Sequence, residues 1–172
     1  MKLRHLVTDV PDFPKRGVMF KDIMPLLADA HAFAHVVARM ADAVPQDSVD
    51  LVAGIDARGF ILAAPVAHRL GRGFVALRKP GKLPGMVLGV DYALEYGSDR
   101  LELRDETVWP GARVLIVDDV LATGGTLAAA VELILHAKAQ PVGASVLIEL
   151  CALGGRARLP AGFAVERVLT YR

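Results

Sequence analysis

Cysteine is nearly absent. Cys151 stands alone among 172 residues, so no disulfide can form within the chain, and a reducing compartment is the expected setting. Nor is charge of one sign in excess. Lys and Arg total 20 against 19 Asp and Glu, a formal net charge of +1, which gives no reason to expect a nucleic-acid partner and leaves any charged site to local arrangement. Long hydrophobic runs are missing too. "MKLRHLVTDVPDFPKRG" carries basic residues without the continuous apolar centre of a secretory signal, and no later stretch approaches a membrane span. The expectation is a soluble cytoplasmic protein with no membrane or nucleic-acid partner. There is no internal repeat, low-complexity tail or interdomain linker. His5, His31, His35, His68 and His136 lack the compact Cys/His spacing of a Zn²⁺ site, so helix-surface or partly buried imidazoles are expected.

Apolar residues are plentiful. At 53% hydrophobic, the chain can build one domain over residues 1–172 with a substantial core, and is too short for two ordinary ones. Its organisation is an exchange between apolar strands and alanine-rich helices. "DLVAGI" (50–55), "GRGFVALRK" (71–79), "ARVLIVDD" (112–119) and "VGASVLIEL" (142–150) predict strands. "AHAFAHVVARMADAV" (30–44) with Asp29 as its cap, "GFILAAPVAHRL" (59–70) despite Pro65, and "TLAAAVELILHAKA" (126–139) predict helices. Strands apolar along their whole length must be covered on both faces, which predicts an α/β fold with an open, mainly parallel central sheet flanked by helices. Residues 164–171 add an edge strand. The stretch from Lys79 to Gly111 mixes glycines, prolines and short β segments, and predicts a mobile β flap, centred on residues 80–105, rather than a second hydrophobic domain.

Chemistry is easiest to place at "VLIVDDVLATGGT" (114–126), because open α/β sheets carry ligand crevices at the carboxyl ends of their strands. With a strand end at Val117, the chain can turn and bring the carboxylates of Asp118 and Asp119 to one ligand, where they would accept hydrogen bonds from a vicinal diol or contact metal-bound water. Gly124 and Gly125 allow a tight path, Thr123 and Thr126 supply hydroxyls, and the N–H groups at the start of the next helix favour an anion. The loop lacks the lysine of a Walker A sequence. Taken by itself, the junction is also satisfied by a capped strand-to-helix turn.

"VLIVDDVLATGGT" resembles the phosphoribosyl-diphosphate motif of type I phosphoribosyltransferases. "DFPKRGVMFKDIMPLL", "GIDARGFILAAPVA", "ALRKPGKLPG" and "YALEYG" resemble, in order, segments of the adenine phosphoribosyltransferase family. That resemblance implies Mg²⁺-dependent transfer of phosphoribose from 5-phospho-α-D-ribose 1-diphosphate to adenine, giving AMP and diphosphate in purine salvage, by a homodimer. It implies ribose contacts from Asp118 and Asp119, and a 5′-phosphate pocket from Ala122, Thr123, Gly124, Gly125 and Thr126. Diphosphate contacts fall to Arg58, Arg78, Lys79 and Lys82, of which Arg78, Lys79 and Lys82 also read as a solvated edge. A cis peptide between Asp56 and Ala57 is implied as well. The metal is held mainly by substrate oxygens, with help from Asp118 and Asp119.

Glu95 falls at the acid/base position of the catalytic loop, and Tyr96 where it closes over the sugar and excludes water. Residues 1–28 correspond to an N-terminal hood for base recognition, in which Val18, Met19, Phe20 and Lys21 offer apolar contacts and backbone groups to the purine. Lys21 stands where part of the family has Arg. Two other readings remain open at this point: turnover of a different purine base, and a regulatory protein that binds phosphoribosyl diphosphate without reacting it.

Overall fold

A computed structural model describes residues 2–93 and 98–172. In chain order the strands are β1 (Thr8–Pro11), β2 (Met19–Asp22), β3 (Leu51–Ile55), β4 (Gly73–Leu77), β5 (Val87–Ala93), β6 (Ser98–Arg104), β7 (Arg113–Leu121), β8 (Gln140–Leu150) and β9 (Val165–Tyr171). The helices are α1 (Met24–Ala28), α2 (Ala30–Ala41), α3 (Arg58–Leu70) and α4 (Gly125–His136). A five-stranded sheet in the order β4-β3-β7-β8-β9 forms the centre, with every pairing parallel. Two antiparallel hairpins, β1-β2 and β5-β6, pair outside it, the second bridged through Glu102 to Arg78 just past the end of β4. The expected α/β architecture is the one observed, and residues 165–171 are its edge strand.

The unbroken apolar strands have a direct physical cause. Successive side chains along a strand alternate between faces, and here each face has its own core. Ala53, Val114, Ile116 and Val146 point to the side covered by α4 and the β5-β6 hairpin. Val52, Leu115, Val117 and Leu147 point to the side covered by α2 and α3. Fully burying a side chain such as Leu115 or Ile116, both at 0% exposure, contributes roughly 1.5–3 kcal/mol, so neither face can be left to water.

Local signals then set the helix ends. The Asp29 carboxylate accepts from Ala32 N at 2.8 Å and caps α2, whereas α3 stops at Gly71, whose φ of 65° closes the last turn. Pro65 sits inside α3 and denies the Ile61 carbonyl an i+4 donor, yet the buried face of Leu62, Ala63 and Val66 holds the helix together.

One strand differs from expectation. β7 does not end at Val117 but continues through both acids to Leu121, paired with β8 as far as Leu121↔Glu149. The two polar residues interrupt the apolar pattern without interrupting the ladder, because backbone pairing is indifferent to side-chain polarity. The Asp56–Ala57 peptide is cis, as the resemblance implied. At the other end of the sheet, where β7 and β8 begin, Trp109 is 52% exposed beside a cleft walled by Leu88, Val108, His136 and Lys138.

Candidate active site

The strand order reverses direction between β3 and β7: from β3 the chain moves outward to β4, then returns to the other side of β3 for β7. A crevice at the carboxyl ends of such a pair is where open α/β sheets bind ligands. Here Arg58 and Gly59, at the start of α3 just after β3, lie against the acids of β7. Asp118 and the turn residues Ala122, Thr123, Gly124, Gly125 and Thr126 line one small cavity of about 70 Å³. Five positions from the phosphate expectation and one from the ribose expectation are thus brought together.

The first turn of α3, rather than a turn in the main chain at the acids, gathers the two carboxylates. Asp118 Oδ1 lies so close to Gly59 that a Cβ there would sit 2.8 Å from it, and it accepts from Asp119 N at 2.9 Å. Asp119 is 6% exposed, with Oδ2 2.7 Å from Arg58 Nε. That contact is ionic without hydrogen-bond alignment, and Oδ2 has no hydrogen-bond partner among the described residues. Burial pushes the Asp118 carboxyl well above the ordinary Asp range, and the Asp119 charge beside it pushes the same way. Burial raises Asp119 as well, while the Arg58 guanidinium pulls it down. Two enclosed acids with one arginine make a site short of positive charge and rich in acceptors, suited to hydroxyl donors and a cation.

Arg58 also links the acids to the N-terminal hairpin. Its guanidinium carbon lies 4.6 Å from the centre of the Phe20 ring, and that ring meets Phe13 edge-on at 5.0 Å. Val18 and Met19 are 40% and 49% exposed, leaving apolar surface open next to Phe20. Lys21 points elsewhere: its ammonium is 2.6 Å from Asp9 Oδ1 and 4.2 Å from the centre of the Tyr171 ring.

The basic residues after β4 divide. Arg78 Nε donates to Asp56 Oδ2 at 3.1 Å and stays beside the crevice. Lys79 does not extend toward it: its ammonium donates to the Tyr92 hydroxyl at 2.9 Å and pairs with Asp99 on the hairpin. Burial works to lower its pKa, but the bonds to Asp99 and Tyr92 outweigh that and raise it. Lys82 is exposed, and its carbonyl accepts from Arg78 Nη1 at 3.3 Å. Glu95 and Tyr96 lie outside the described residues.

Two features of the site escape sequence reasoning. Asp56 anchors Arg78 and also accepts from Lys79 N at 3.4 Å. More consequential is the segment after β8, which packs against the Ala122–Thr126 turn. A Cβ on Gly124 would lie 2.1 Å from Gly155 O, and one on Gly155 would lie 2.2 Å from Ala122 O. The segment is held by Arg156, whose Nε and Nη2 donate to Glu149 at 2.6 and 2.9 Å. The adjacent Gly154 and Gly155 are its trace in the sequence.

Comparison with known proteins decides the family. Residues 26–160 match the phosphoribosyl transferase domain. Over 171 residues the chain is 51% identical to the adenine phosphoribosyltransferase of Prochlorococcus marinus, covering 99% of each protein. This chain belongs to the adenine phosphoribosyltransferase family. The adenine phosphoribosyltransferase of Acidothermus cellulolyticus is 58% identical over 155 residues, 90% of this chain and 88% of that one. Among solved structures, the adenine phosphoribosyltransferase of Rhodothermus marinus superimposes with a TM-score of 0.94 at 44% identity, covering 98% of this chain and 96% of that one. The Saccharomyces cerevisiae adenine phosphoribosyltransferase, solved with adenine and an imino-altritol bisphosphate, gives 0.91 at 35% identity, covering 98% and 97%. Members of this family are pentosyltransferases, so the protein is an enzyme of that class.

Proposed function

We infer that the protein transfers phosphoribose from 5-phospho-α-D-ribose 1-diphosphate to adenine, releasing diphosphate and forming AMP in purine salvage. The observation that carries this reading is the shared cavity, where Asp118 meets the Ala122–Thr126 turn at the start of α4. Backbone N–H groups at that helix start, with the hydroxyls of Thr123 and Thr126, hold the 5′-phosphate. Asp118 and Asp119 accept hydrogen bonds from the ribose hydroxyls. Val18, Met19 and Phe20 offer the purine apolar surface, with backbone groups from there to Lys21 at its edge. As the bond to diphosphate breaks, positive charge grows at the anomeric carbon and negative charge on the leaving group. Arg58 and Arg78 stabilise the latter, with the exposed Lys82 and, once released from Asp99 and Tyr92, Lys79 as further cations. Glu95 manages the proton on adenine, and Tyr96 closes over the sugar and excludes water.

The donor set fits Mg²⁺ as a substrate-borne ion. Among the described residues no group of three or more His, Cys, Asp or Glu gathers as a metal cage, while the adjacent Asp118 and Asp119 offer hard oxygens. When bound through substrate oxygens, water and these two residues, Mg²⁺ supplies charge neutralisation on the diphosphate.

A homodimer belongs to the same reading, supported by the open edge of β4 and by Ile61 and Phe74, each 41% exposed. So does a cytoplasmic setting, supported by the free thiol of Cys151. The deciding experiment is a base screen with Mg²⁺, following AMP and diphosphate. Selective conversion of adenine is expected. Preferred turnover of hypoxanthine, guanine or xanthine overturns the reading, as does ligand binding without diphosphate release.

A further inference from the structure

Tyr171, at the end of edge strand β9, lies outside the sugar-phosphate cavity, yet two cations converge on it. The Arg4 guanidinium carbon is 4.8 Å from the ring centre and the Lys21 ammonium 4.2 Å. Arg4 also donates to the carbonyl of the preceding residue, Thr170. Lys21 is tied to Asp9 at 2.6 Å across the β1-β2 register, Asp9↔Lys21, and its side chain is only 10% exposed. The Tyr171 hydroxyl, by contrast, is buried and has no partner among the described residues. What the position uses is therefore the face of an aromatic ring, whose quadrupole attracts cations, and not the phenol.

Lys21 directly follows Phe20 on β2. Phe20 in turn carries Arg58 over its ring at 4.6 Å, and Arg58 is paired with Asp119 at 2.7 Å. The hairpin is anchored at its base by the buried Val7 and Ile23, and the Tyr171 ring under Lys21 adds a hold on β2 at the residue next to Phe20.

We propose that Tyr171 is a positioning residue for base recognition, its ring gathering Lys21 and Arg4 so that strand β2 presents Phe20 beside Arg58. The proposal rests on the reading of residues 18–21 as the base-binding segment. It separates the two substrates. The turn at Ala122–Thr126 is held by the Gly155 segment, and the hairpin reaches the sugar-diphosphate side only through the Phe20–Arg58 contact, so the effect of losing the ring falls mainly on adenine.

The test is steady-state kinetics with adenine and with 5-phospho-α-D-ribose 1-diphosphate, Mg²⁺ present, on full-length variants. Tyr171→Leu keeps apolar bulk and removes the ring; it is expected to raise KM for adenine about tenfold while KM for the sugar diphosphate stays within about twofold. Tyr171→Phe keeps the ring and is expected to behave as the unmodified protein. Arg4→Met, at an exposed position, is expected to raise adenine KM alone, by about threefold, and serves if the Leu variant does not fold. Equal increases in both KM values, or a Leu variant indistinguishable from the Phe variant, overturn the proposal by reducing Tyr171 to packing. A Phe variant as impaired as the Leu variant also overturns it, by assigning the role to the hydroxyl. Phe20→Ala tests the underlying reading separately: unchanged adenine KM there rejects the base-binding segment itself, whatever Tyr171 does.

Discussion

Gly155 and Asp118 show how single positions shape the cavity at the start of α4. The mutual approach of Gly124 and Gly155 is backbone against backbone, so no side chain can swing aside for an added methyl. Gly155→Ala should cost about 1–3 kcal/mol by overpacking and, because the displaced partner is Ala122 O, should raise KM for the sugar diphosphate by about tenfold or more. Calorimetry and initial-rate kinetics check the two effects together. Asp118 makes the opposite trade. Its pKa in the folded chain is raised, first by burial and then by Asp119, so its contribution to folding is complete below the ordinary Asp pKa and is lost as pH rises from there through the raised value. Asp118→Asn is therefore expected to raise the Tm of the ligand-free protein at pH 7, and to weaken binding of the sugar diphosphate. An unchanged or lower Tm contradicts the burial argument; unchanged binding contradicts the ribose assignment.

Pairs of elements are joined by charged stitches, one at the far end of the sheet from the crevice and one behind the Ala122–Thr126 turn. At the amino ends of β3 and β7, Arg113 grips Asp50 through Nη2 at 2.7 Å, Nε at 3.0 Å and its backbone N at 2.9 Å. Hydrogen bonds from Arg113 lower the Asp50 pKa to about 2. A depressed carboxylate contributes stability that is present above its unfolded pKa and is lost as pH falls through the folded value. Asp50→Asn should thus lower Tm at pH 7, with the difference from the unmodified protein shrinking between about pH 4 and pH 2. Urea or thermal melts across that range decide it, and a difference independent of pH refutes the assignment. At the other end, Glu149 pairs with Arg156 at 2.6 Å and Arg167 at 3.1 Å. Hydrogen bonding from Arg156 holds its carboxyl below the usual Glu range, and so the segment carrying Gly155 stays against the turn.

Across the whole molecule, what could be read from the chain was whatever leaves a local imprint. β3, β7 and β8 announce themselves because two cores demand apolar residues on both faces. β1 and β2 do not: each has four residues, mostly exposed or half-buried, and such short strands show no usable alternation. The overrun of β7 past Val117 was hidden by its acids. Contacts between distant segments, Gly124 with Gly155, Arg58 with Asp119 and Lys79 with Asp99, have no imprint at all, since each needs the fold to exist first. Thus the Ala122–Thr126 turn between β7 and α4 was legible, and its buttress was not. The same limit applies to assembly, where the β4 edge and the exposed Ile61 and Phe74 become a surface only after folding. Phe74→Asp, a charge set into that surface, is expected to halve the mass measured by light scattering if the homodimer forms there. A variant whose mass is unchanged removes this edge as the interface.

The chain's single tryptophan, Trp109, stands at the amino end of the sheet, with the reaction crevice at the carboxyl end. Its intrinsic fluorescence is therefore expected to change little with occupancy of the crevice, and heating through the melt to report the loss of the surrounding cleft. A spectroscopist following ligand uptake in this enzyme needs a second fluorophore, introduced near the hairpin that carries Phe20.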